Sequence, residues 1–334
     1  MFEAQAVVFE DVRDVKVRTL QVPDPGPNDV VVRTRHSLIS NGTESSFLRG
    51  ERVGGDTPAK PGDKLPFPQV TGYQKVGIVE KAPENDPVFK PGQWVACTMS
   101  KTGLQDHSLG GHINPAVTDR EQVYPLPEGM DPLEASGLVL TQVGYNCGMR
   151  PPVNAGATAV VIGDGMVGHW AAQTLQWRGA SVVLVGKHDY RYKRFATRKE
   201  DRIVDVSATD DAREAICAAC PDGINILVDT VGTNELIVDL FPHFCRNSHI
   251  VSAGFLGERG QIDIQMLRNR ETTLHCPAGW MRPRMEETLR LLGEGVLRAT
   301  PLITHHLPVN KAPEAFDMIL NKSEEFLGIV LEWE

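Results

Sequence analysis

The sequence predicts an α/β protein in two parts: a β-rich domain with long loops, and a doubly wound parallel sheet covered by helices. Three observations predict it. A buried-strand run, a Gly-x-Gly-x-x-Gly turn and a helix start follow one another at Val160-Val161-Ile162-Gly163-Asp164-Gly165-Met166-Val167-Gly168. After Pro151-Pro152, short Val/Ile/Leu runs alternate with helical patterns. Before it, alternating strand-like pieces are broken often by Gly and Pro. Apolar runs flanked by helices read as parallel strands buried on both faces. Many short strands with Gly/Pro turns read as a small barrel. A chain of 334 residues is long enough for two cores.

The β-rich part begins with strands over 4–9, 15–20 and 29–35, the last two separated by Pro23-Asp24-Pro25-Gly26-Pro27. Strands over 75–80, 94–98 and 117–123 continue it. The parallel sheet takes 159–162, 181–185, 226–229 and 249–253, with 272–276 closing it. Helices over 169–177 and 234–241 lie between these strands. An amphipathic helix spans 285–292. The tail, 302–334, contains a helix over 312–320 and a strand over 328–331, and is expected to rejoin the first domain. The expected domains are 1–148 with 284–334, and 149–283.

The glycine turn carries the first functional expectation. Gly163 permits the tight turn, Gly165 lets the backbone approach a pyrophosphate, and Gly168 lets the helix pack on the strand. The N–H groups of Met166, Val167 and Gly168 at the helix start face the anion, aided by the helix dipole. The next strand ends in Gly186-Lys187-His188, followed by Arg191, Lys193 and Arg194, where an NAD-binding unit usually has an acidic residue. Lys187, His188 and Arg191 attract a 2′-phosphate that a carboxylate would repel, so NADP(H) is favoured over NAD(H); Asp189 pulls the other way. Ligands sit at the carboxyl ends of strands in such sheets. Backbone groups near Val231 and Gly254 are therefore expected to hold ribose and carboxamide. Gly279-Trp280 is a candidate for lining the substrate site, with a packed interface tryptophan as the equal alternative.

Composition excludes several classes. The chain is 41% hydrophobic and 23% charged, with net charge −9. A general nucleic-acid surface needs a basic stripe. No apolar run approaches a membrane span, and no signal peptide is expected from the first residues. Six scattered cysteines suggest reduced thiols and a cytoplasmic setting. Cys217-Ala218-Ala219-Cys220 lies in a helical pattern without a second ligand pair, so a metal knuckle is not expected.

Several short motifs in order resemble the medium-chain dehydrogenase/reductase superfamily, which contains zinc alcohol, sorbitol and threonine dehydrogenases. Pro91-Gly92-Gln93-Trp94-Val95 is similar to its "PGDRV" strand entry. Val123-Tyr124-Pro125-Leu126-Pro127-Glu128-Gly129 is similar to its "V-x-x-L-P-x-G" element. Pro301-Leu302-Ile303-Thr304-His305 with Ala312-Pro313-Glu314-Ala315-Phe316 is similar to its tail. The resemblance implies a GroES-like catalytic domain built from both termini, a central Rossmann domain, an active site between them, and a homo-oligomer, commonly a dimer or tetramer.

The metal pattern of that superfamily is missing. Its zinc-dependent members carry Cys in a "G-I-C-G-T-D" loop; here the loop reads Leu38-Ile39-Ser40-Asn41-Gly42-Thr43-Glu44. They carry His-Glu after a glycine; here Tyr73-Gln74 follow Gly72. For the third ligand, 138–144 offers Gln142 at most. Neutral Ser, Tyr and Gln do not make a catalytic zinc site, and the four-cysteine lobe is absent too. His107 and His112 with Asp106 are more simply solvated or hydrogen-bonded, so no metal is expected. Hydride transfer still needs a group for the substrate oxygen's proton. Tyr73 is the first candidate; the resemblance makes Thr43 the relay hydroxyl, with Glu44 and Gln74 orienting or relaying. Ser40 and Asn41 are expected to shape the loop, and His36 to be packed in its strand. A core tyrosine with a satisfied hydroxyl is the alternative reading of Tyr73.

The expected function is a zinc-independent, NADP(H)-preferring oxidoreductase acting on a small-molecule alcohol or carbonyl such as a sugar or polyol. The Gly-Thr-Glu loop is similar to that of the bacteriochlorophyllide 3-hydroxyethyl dehydrogenases. The alternatives are an NADPH-dependent quinone or enoyl (C=C) reductase, and an inactive NADP(H)-binding sensor. No nucleic-acid or membrane partner is expected.

Overall fold

The computed structural model describes residues 2–104 and 108–334. The chain forms two compact units, Met1–Val139 with Met285–Glu334, and Leu140–Arg284.

The second unit is built on six parallel strands in the order Arg202–Asp205, Ser181–Gly186, Thr158–Ile162, Ile224–Asp229, Phe244–Ser252, Thr273–His275. Numbered along the chain this is 3-2-1-4-5-6, the doubly wound dinucleotide-binding order. Alternation along each strand fills two cores. Val160, Ile162, Val183, Val185 and Leu227 enter one; Val161, Leu184, Val228 and Val251 enter the other with Ala171, Ala172 and Leu175. Both faces are apolar because both are covered. The helix Met166–Trp177 buries Trp170 completely. It meets the helix Leu138–Met149 at glycines: a Cβ on Gly144 would lie 2.5 Å from Trp170 Cβ, and one on Gly148 2.6 Å from Thr174 Cβ. Larger residues would force the helices apart.

The strand Arg202–Asp205 was not among the expected strands. This edge strand is half exposed and only Val204 is buried, so its Arg-Ile-Val-Asp pattern has no apolar run to detect.

In the first unit, Phe2–Asp11 pairs antiparallel with Asp14–Val22, Gln69–Val70 and Ile113–Asn114. A seven-stranded sheet runs Val123–Pro125, Trp94–Cys97, Lys75–Lys81, Asp29–Leu38, Gly328–Glu332, Ile303–Pro308, with Ala116–Asp119 also on Asp29–Leu38. Ala4, Ala6 and Val8 face one core with Val30, Val32 and Val95. Val7 and Phe9 face another with Ile39, Leu48, Phe316 and Leu331. There the Phe9 and Phe316 rings meet edge-on, 4.9 Å apart. The tail joins this unit through Gly328–Glu332 against Asp29–Leu38. The single strand expected over 117–123 is broken. Asp119 accepts from the Glu121 N–H at 2.8 Å and turns the chain over Arg120–Gln122 before Val123 resumes.

Lys75 is fully buried where that sheet meets the 98–110 segment. Its ammonium donates to the Thr98 and Gly110 carbonyls, each at 2.8 Å. Burial lowers its pKa from 10.5 to about 8. Between those values the unfolded chain binds the extra proton, so stability rises with pH there. Lys75→Met removes that dependence. The melting-temperature difference, wild type minus variant, is expected to grow between about pH 8 and pH 10; a pH-independent difference contradicts the assignment.

Candidate functional site

Each glycine of the turn has a distinct physical reason. Gly163 has φ +116°, and a Cβ there would sit 2.3 Å from Thr230 Oγ1. A Cβ on Gly168 would lie 2.0 Å from the Gly163 carbonyl oxygen, so helix and strand touch backbone to backbone. A Cβ on Gly165 would meet nothing within 4 Å. The open position is the one a pyrophosphate needs. Met166–Trp177 starts there without a side-chain cap, leaving the N–H groups of Met166, Val167 and Gly168 for an anion. These residues fit a dinucleotide. Across the sheet, buried Asp229 accepts from the N–H groups of Val231 at 2.9 Å, Gly232 at 3.0 Å and Thr233 at 2.9 Å. A Cβ on Gly254 would lie 2.0 Å from the Gly232 nitrogen, so the Val231 and Gly254 turns are neighbours.

The basic cluster after the second strand is organised by a residue the sequence reading passed over. Asp164, inside the glycine turn, accepts from the Lys187 and His188 N–H groups, each at 2.8 Å. His188 Nδ1 lies 3.0 Å and Arg191 3.8 Å from the same carboxylate. Gly186 makes room: a Cβ there would meet Asp164 Oδ2 at 2.7 Å. Asp189 turns instead to Lys193, at 2.6 Å. Lys187 and His188 are thus held by their backbone N–H groups, and the His188 ring and Arg191 guanidinium face the same carboxylate.

In the first unit, the segment read as a loop is the start of a helix, Asn41–Leu48. Its polar Asn-Gly-Thr-Glu-Ser-Ser opening has no helical apolar period, and a side chain closes it. Glu44 Oε1 accepts from the Ser40 N–H at 2.7 Å while the Glu44 N–H bonds the Ser40 carbonyl at 2.9 Å, a capping-box-like pair. Glu44 Oε2 accepts from the Thr71 hydroxyl at 2.7 Å and lies 3.0 Å from His112 Nε2. His112 Nδ1 is 2.8 Å from Ser37 Oγ, to which the Trp333 indole N–H donates at 2.8 Å. Indole only donates and a carboxylate only accepts. Nε2–H therefore donates to Glu44, and Ser37 Oγ accepts from Trp333 while it bonds Nδ1.

Both carboxylate oxygens of Glu44 are used in this network. His112 is hydrogen-bonded through both ring nitrogens; Asp106 and His107, named with it above, lie outside the described residues. Gln74 is buried too and donates to the Leu38 carbonyl at 3.2 Å, so it positions strands. His36 lies in its strand as expected, and burial lowers its pKa.

Tyr73 stands apart from these. Its hydroxyl is 2.6 Å from Ser40 Oγ and also bonds the Thr43 side chain. Ser40, expected only to shape the loop, is thus its direct partner. Burial pushes the phenol pKa up to about 12, so it stays protonated at neutral pH. Gly72, with φ +76°, has no room for a Cβ beside the His112 ring, 2.7 Å away, and a Cβ on Gly111 would lie 2.1 Å from the Tyr73 nitrogen. These two glycines fix where Tyr73 starts. A pocket of about 130 Å³ opens here, lined by Thr43, Tyr73, Phe47, Gln69, Val70 and Leu109 among others. Tyr73, Thr43 and Glu44 line it; Gln74 is not among its walls.

A zinc ion needs anionic or imidazole donors. Ser40 and Tyr73 are neutral hydroxyls bonded to each other, and these residues do not fit one. The Gln142 amide is buried with neither end partnered among the described residues, and it is neutral as well. Among the described residues no three His, Cys, Asp or Glu side chains group to hold a metal, and no helix is long and apolar enough to cross a membrane.

No protein-family model matches the chain. It is 28% identical over 335 residues to 2-desacetyl-2-hydroxyethyl bacteriochlorophyllide A dehydrogenase of Cereibacter sphaeroides, covering 98% of both chains. The homologues are medium-chain dehydrogenases. L-threonine 3-dehydrogenases and a sorbitol dehydrogenase are among them, and together they support an oxidoreductase. Among solved structures, an oxidoreductase of unknown specificity from Escherichia coli superposes with TM-score 0.86 at 16% identity over 100% of both chains. A Sinorhizobium meliloti dehydrogenase described as zinc-binding, bound to NADP, superposes with TM-score 0.81 at 19% identity over 99% of this chain and 100% of its own.

The network makes a stability prediction. Glu44→Ala leaves the Ser40 N–H, Thr71 and His112 without their buried acceptor. It is expected to lower the unfolding free energy in urea by about 3 kcal/mol or more; a loss under about 1 kcal/mol contradicts the network's role.

Proposed function

We propose that the chain is a zinc-independent, NADP(H)-preferring oxidoreductase that interconverts an alcohol and a carbonyl in a small molecule. One observation carries this reading: a half-buried, protonated tyrosine, bonded to two hydroxyls, lines a pocket where zinc-type relatives would need metal-binding side chains. A bound nicotinamide supplies the hydride to the carbonyl carbon, or takes it from the alcohol. Tyr73 handles the proton. A phenol has one proton and two lone pairs. In the structure the Tyr73 O–H donates to Ser40 Oγ; when it turns to the substrate oxygen, the Ser40 O–H donates to Tyr73 in its place, and Tyr73 donates as negative charge develops on the substrate. In oxidation it is the phenolate form of Tyr73 that takes the alcohol's proton. Thr43, bonded to the phenol, holds its direction, and Glu44 holds Ser40 by its backbone.

The cofactor preference is supported by Lys187, His188 and Arg191 after the second strand. Asp164 tempers the local charge yet holds the Lys187 and His188 segment in place. The likeness to a hydroxyethyl-bacteriochlorophyllide dehydrogenase supports alcohol chemistry, without fixing the substrate.

The test is turnover of carbonyl compounds followed by NADPH and NADH oxidation, before and after exhaustive chelation. Wild type is expected to prefer NADPH and to keep its rate after chelation. Tyr73→Phe, which keeps the ring and loses the proton, is expected to lower kcat at least 10²-fold, an order of magnitude typical of a lost general acid, with NADPH affinity unchanged. Loss of activity on chelation, or a Tyr73→Phe variant with full kcat, contradicts the reading. Reduction of enones but no ketones replaces it with C=C chemistry.

A further inference from the structure

The second strand of the nucleotide unit, Ser181–Gly186, ends without the acid that an NAD-binding unit places there, about 20 residues after its glycine turn. A carboxylate reaches the place from elsewhere. A Cβ on Gly186 would meet Asp164 Cβ and Oδ2, each at 2.7 Å, so the Asp164 side chain fills the space that a side chain on Gly186 would take. Only 7% of that side chain is exposed, and its oxygens are engaged by the chain's own groups. Oδ2 accepts from the Lys187 and His188 N–H groups, each at 2.8 Å. His188 Nδ1 lies 3.1 Å from Oδ1 and 3.0 Å from Oδ2, and the Arg191 guanidinium lies 3.8 Å from Oδ1. The His188 and Arg191 side chains keep 28% and 18% of their surface exposed. Two groups that a 2′-phosphate would use therefore already face a buried anion. The other acid of the segment, Asp189, turns to Lys193 at 2.6 Å.

We propose that Asp164 is a positioning residue that limits the discrimination between NADPH and NADH: it holds the His188 ring and the Arg191 guanidinium as an internal anion, and a 2′-phosphate has to draw them from it. The inference rests on the NADP(H) reading of this turn. It goes beyond that reading by assigning the size of the preference to a carboxylate engaged by the chain's own groups. Charge sets the sign. A 2′-phosphate that reaches Arg191 comes near the carboxylate 3.8 Å from that guanidinium, and like charges at short range repel. Removing the charge of Asp164 therefore favours the phosphate-bearing nucleotide. Hydrogen-bond chemistry lets the charge go while the turn stays. In Asp164→Asn the amide oxygen takes the place of Oδ2 and accepts from the Lys187 and His188 N–H groups. The amide nitrogen takes the place of Oδ1 and donates to His188 Nδ1, an acceptor in one neutral tautomer. Arg191 loses this anion.

The test measures binding of 5′-AMP and adenosine 2′,5′-bisphosphate to the full chain by calorimetry. The two nucleotides differ by the 2′-phosphate alone, and no turnover is needed, so the outcome is separate from the fate of the proposed chemistry. Wild type is expected to bind the bisphosphate more tightly. In Asp164→Asn the ratio of the two affinities is expected to rise about tenfold, the scale of one unit charge at short range near a protein surface. In an Arg191→Met background the same substitution is expected to change the ratio by less than about threefold, because the coupled partner is gone. Asp164→Ser, which keeps a short acceptor for the N–H groups, serves as a second variant, with thermal melting showing that both fold. A merely structural role lowers both affinities together and leaves their ratio. An unchanged or lowered ratio in both variants overturns the inference, and a tenfold rise that persists in the Arg191→Met background overturns the route through Arg191. Equal affinities in wild type overturn the NADP(H) preference, while the shift in Asp164→Asn still decides the role of Asp164. Binding of neither nucleotide by wild type overturns both.

Discussion

The buried carboxylate of Glu44 is the constraint on which the first unit's site depends. It is 2% exposed and is stable there because three donors from three places in the chain meet it: the Ser40 backbone, the Thr71 hydroxyl and His112. An unpaired carboxylate at that depth would be costly enough to unfold the region. Satisfied, it fastens the start of the Asn41–Leu48 helix to the Thr71-Gly72-Tyr73 segment. Ser40 and Tyr73 are held on either side of that fastening, which is how two hydroxyls distant in sequence stay 2.6 Å apart.

The nucleotide unit uses the same physics. Asp164 and Asp229 are both buried and both accept mainly from backbone N–H groups of a neighbouring turn. Asp164 shapes the turn after the second strand; Asp229 shapes the one after the fourth. Side-chain carboxylates thus set turns at strand ends, where an open α/β sheet binds its ligand. The glycines do the complementary work of leaving space. Gly165 leaves it for a ligand, whereas Gly168, Gly186 and Gly254 leave it for the protein's own atoms.

The parallel sheet was legible in the sequence because buried parallel strands are continuous apolar runs, and because Gly163, Gly165 and Gly168 sit at the strand–helix junction where their spacing has one structural use. Arg202–Asp205 escaped because an exposed edge strand lacks such a run. The Asn41–Leu48 helix escaped because its first turns are polar and its cap comes from Glu44, itself stabilised by His112 some 68 residues away. Tyr73 was legible as a candidate through the resemblance, since it stands where another chemistry would be expected. Its partner Ser40 and the organising Asp164 were not. Each owes its part to a contact in space, and nothing local in the sequence marks it. Glu44 and Gln74 show the converse: polar residues beside a candidate acid are as readily structural as chemical.

In the proposed reaction a tyrosine phenol, and no metal ion, meets the reacting oxygen. A crystal structure of the enzyme with oxidised cofactor and an alcohol inhibitor measures this directly. The inhibitor oxygen is expected within about 2.6–3.2 Å of Tyr73 Oη, with Ser40 still bonded to the phenol. Metal density coordinating that oxygen, or a phenol that stays out of its reach, would contradict it.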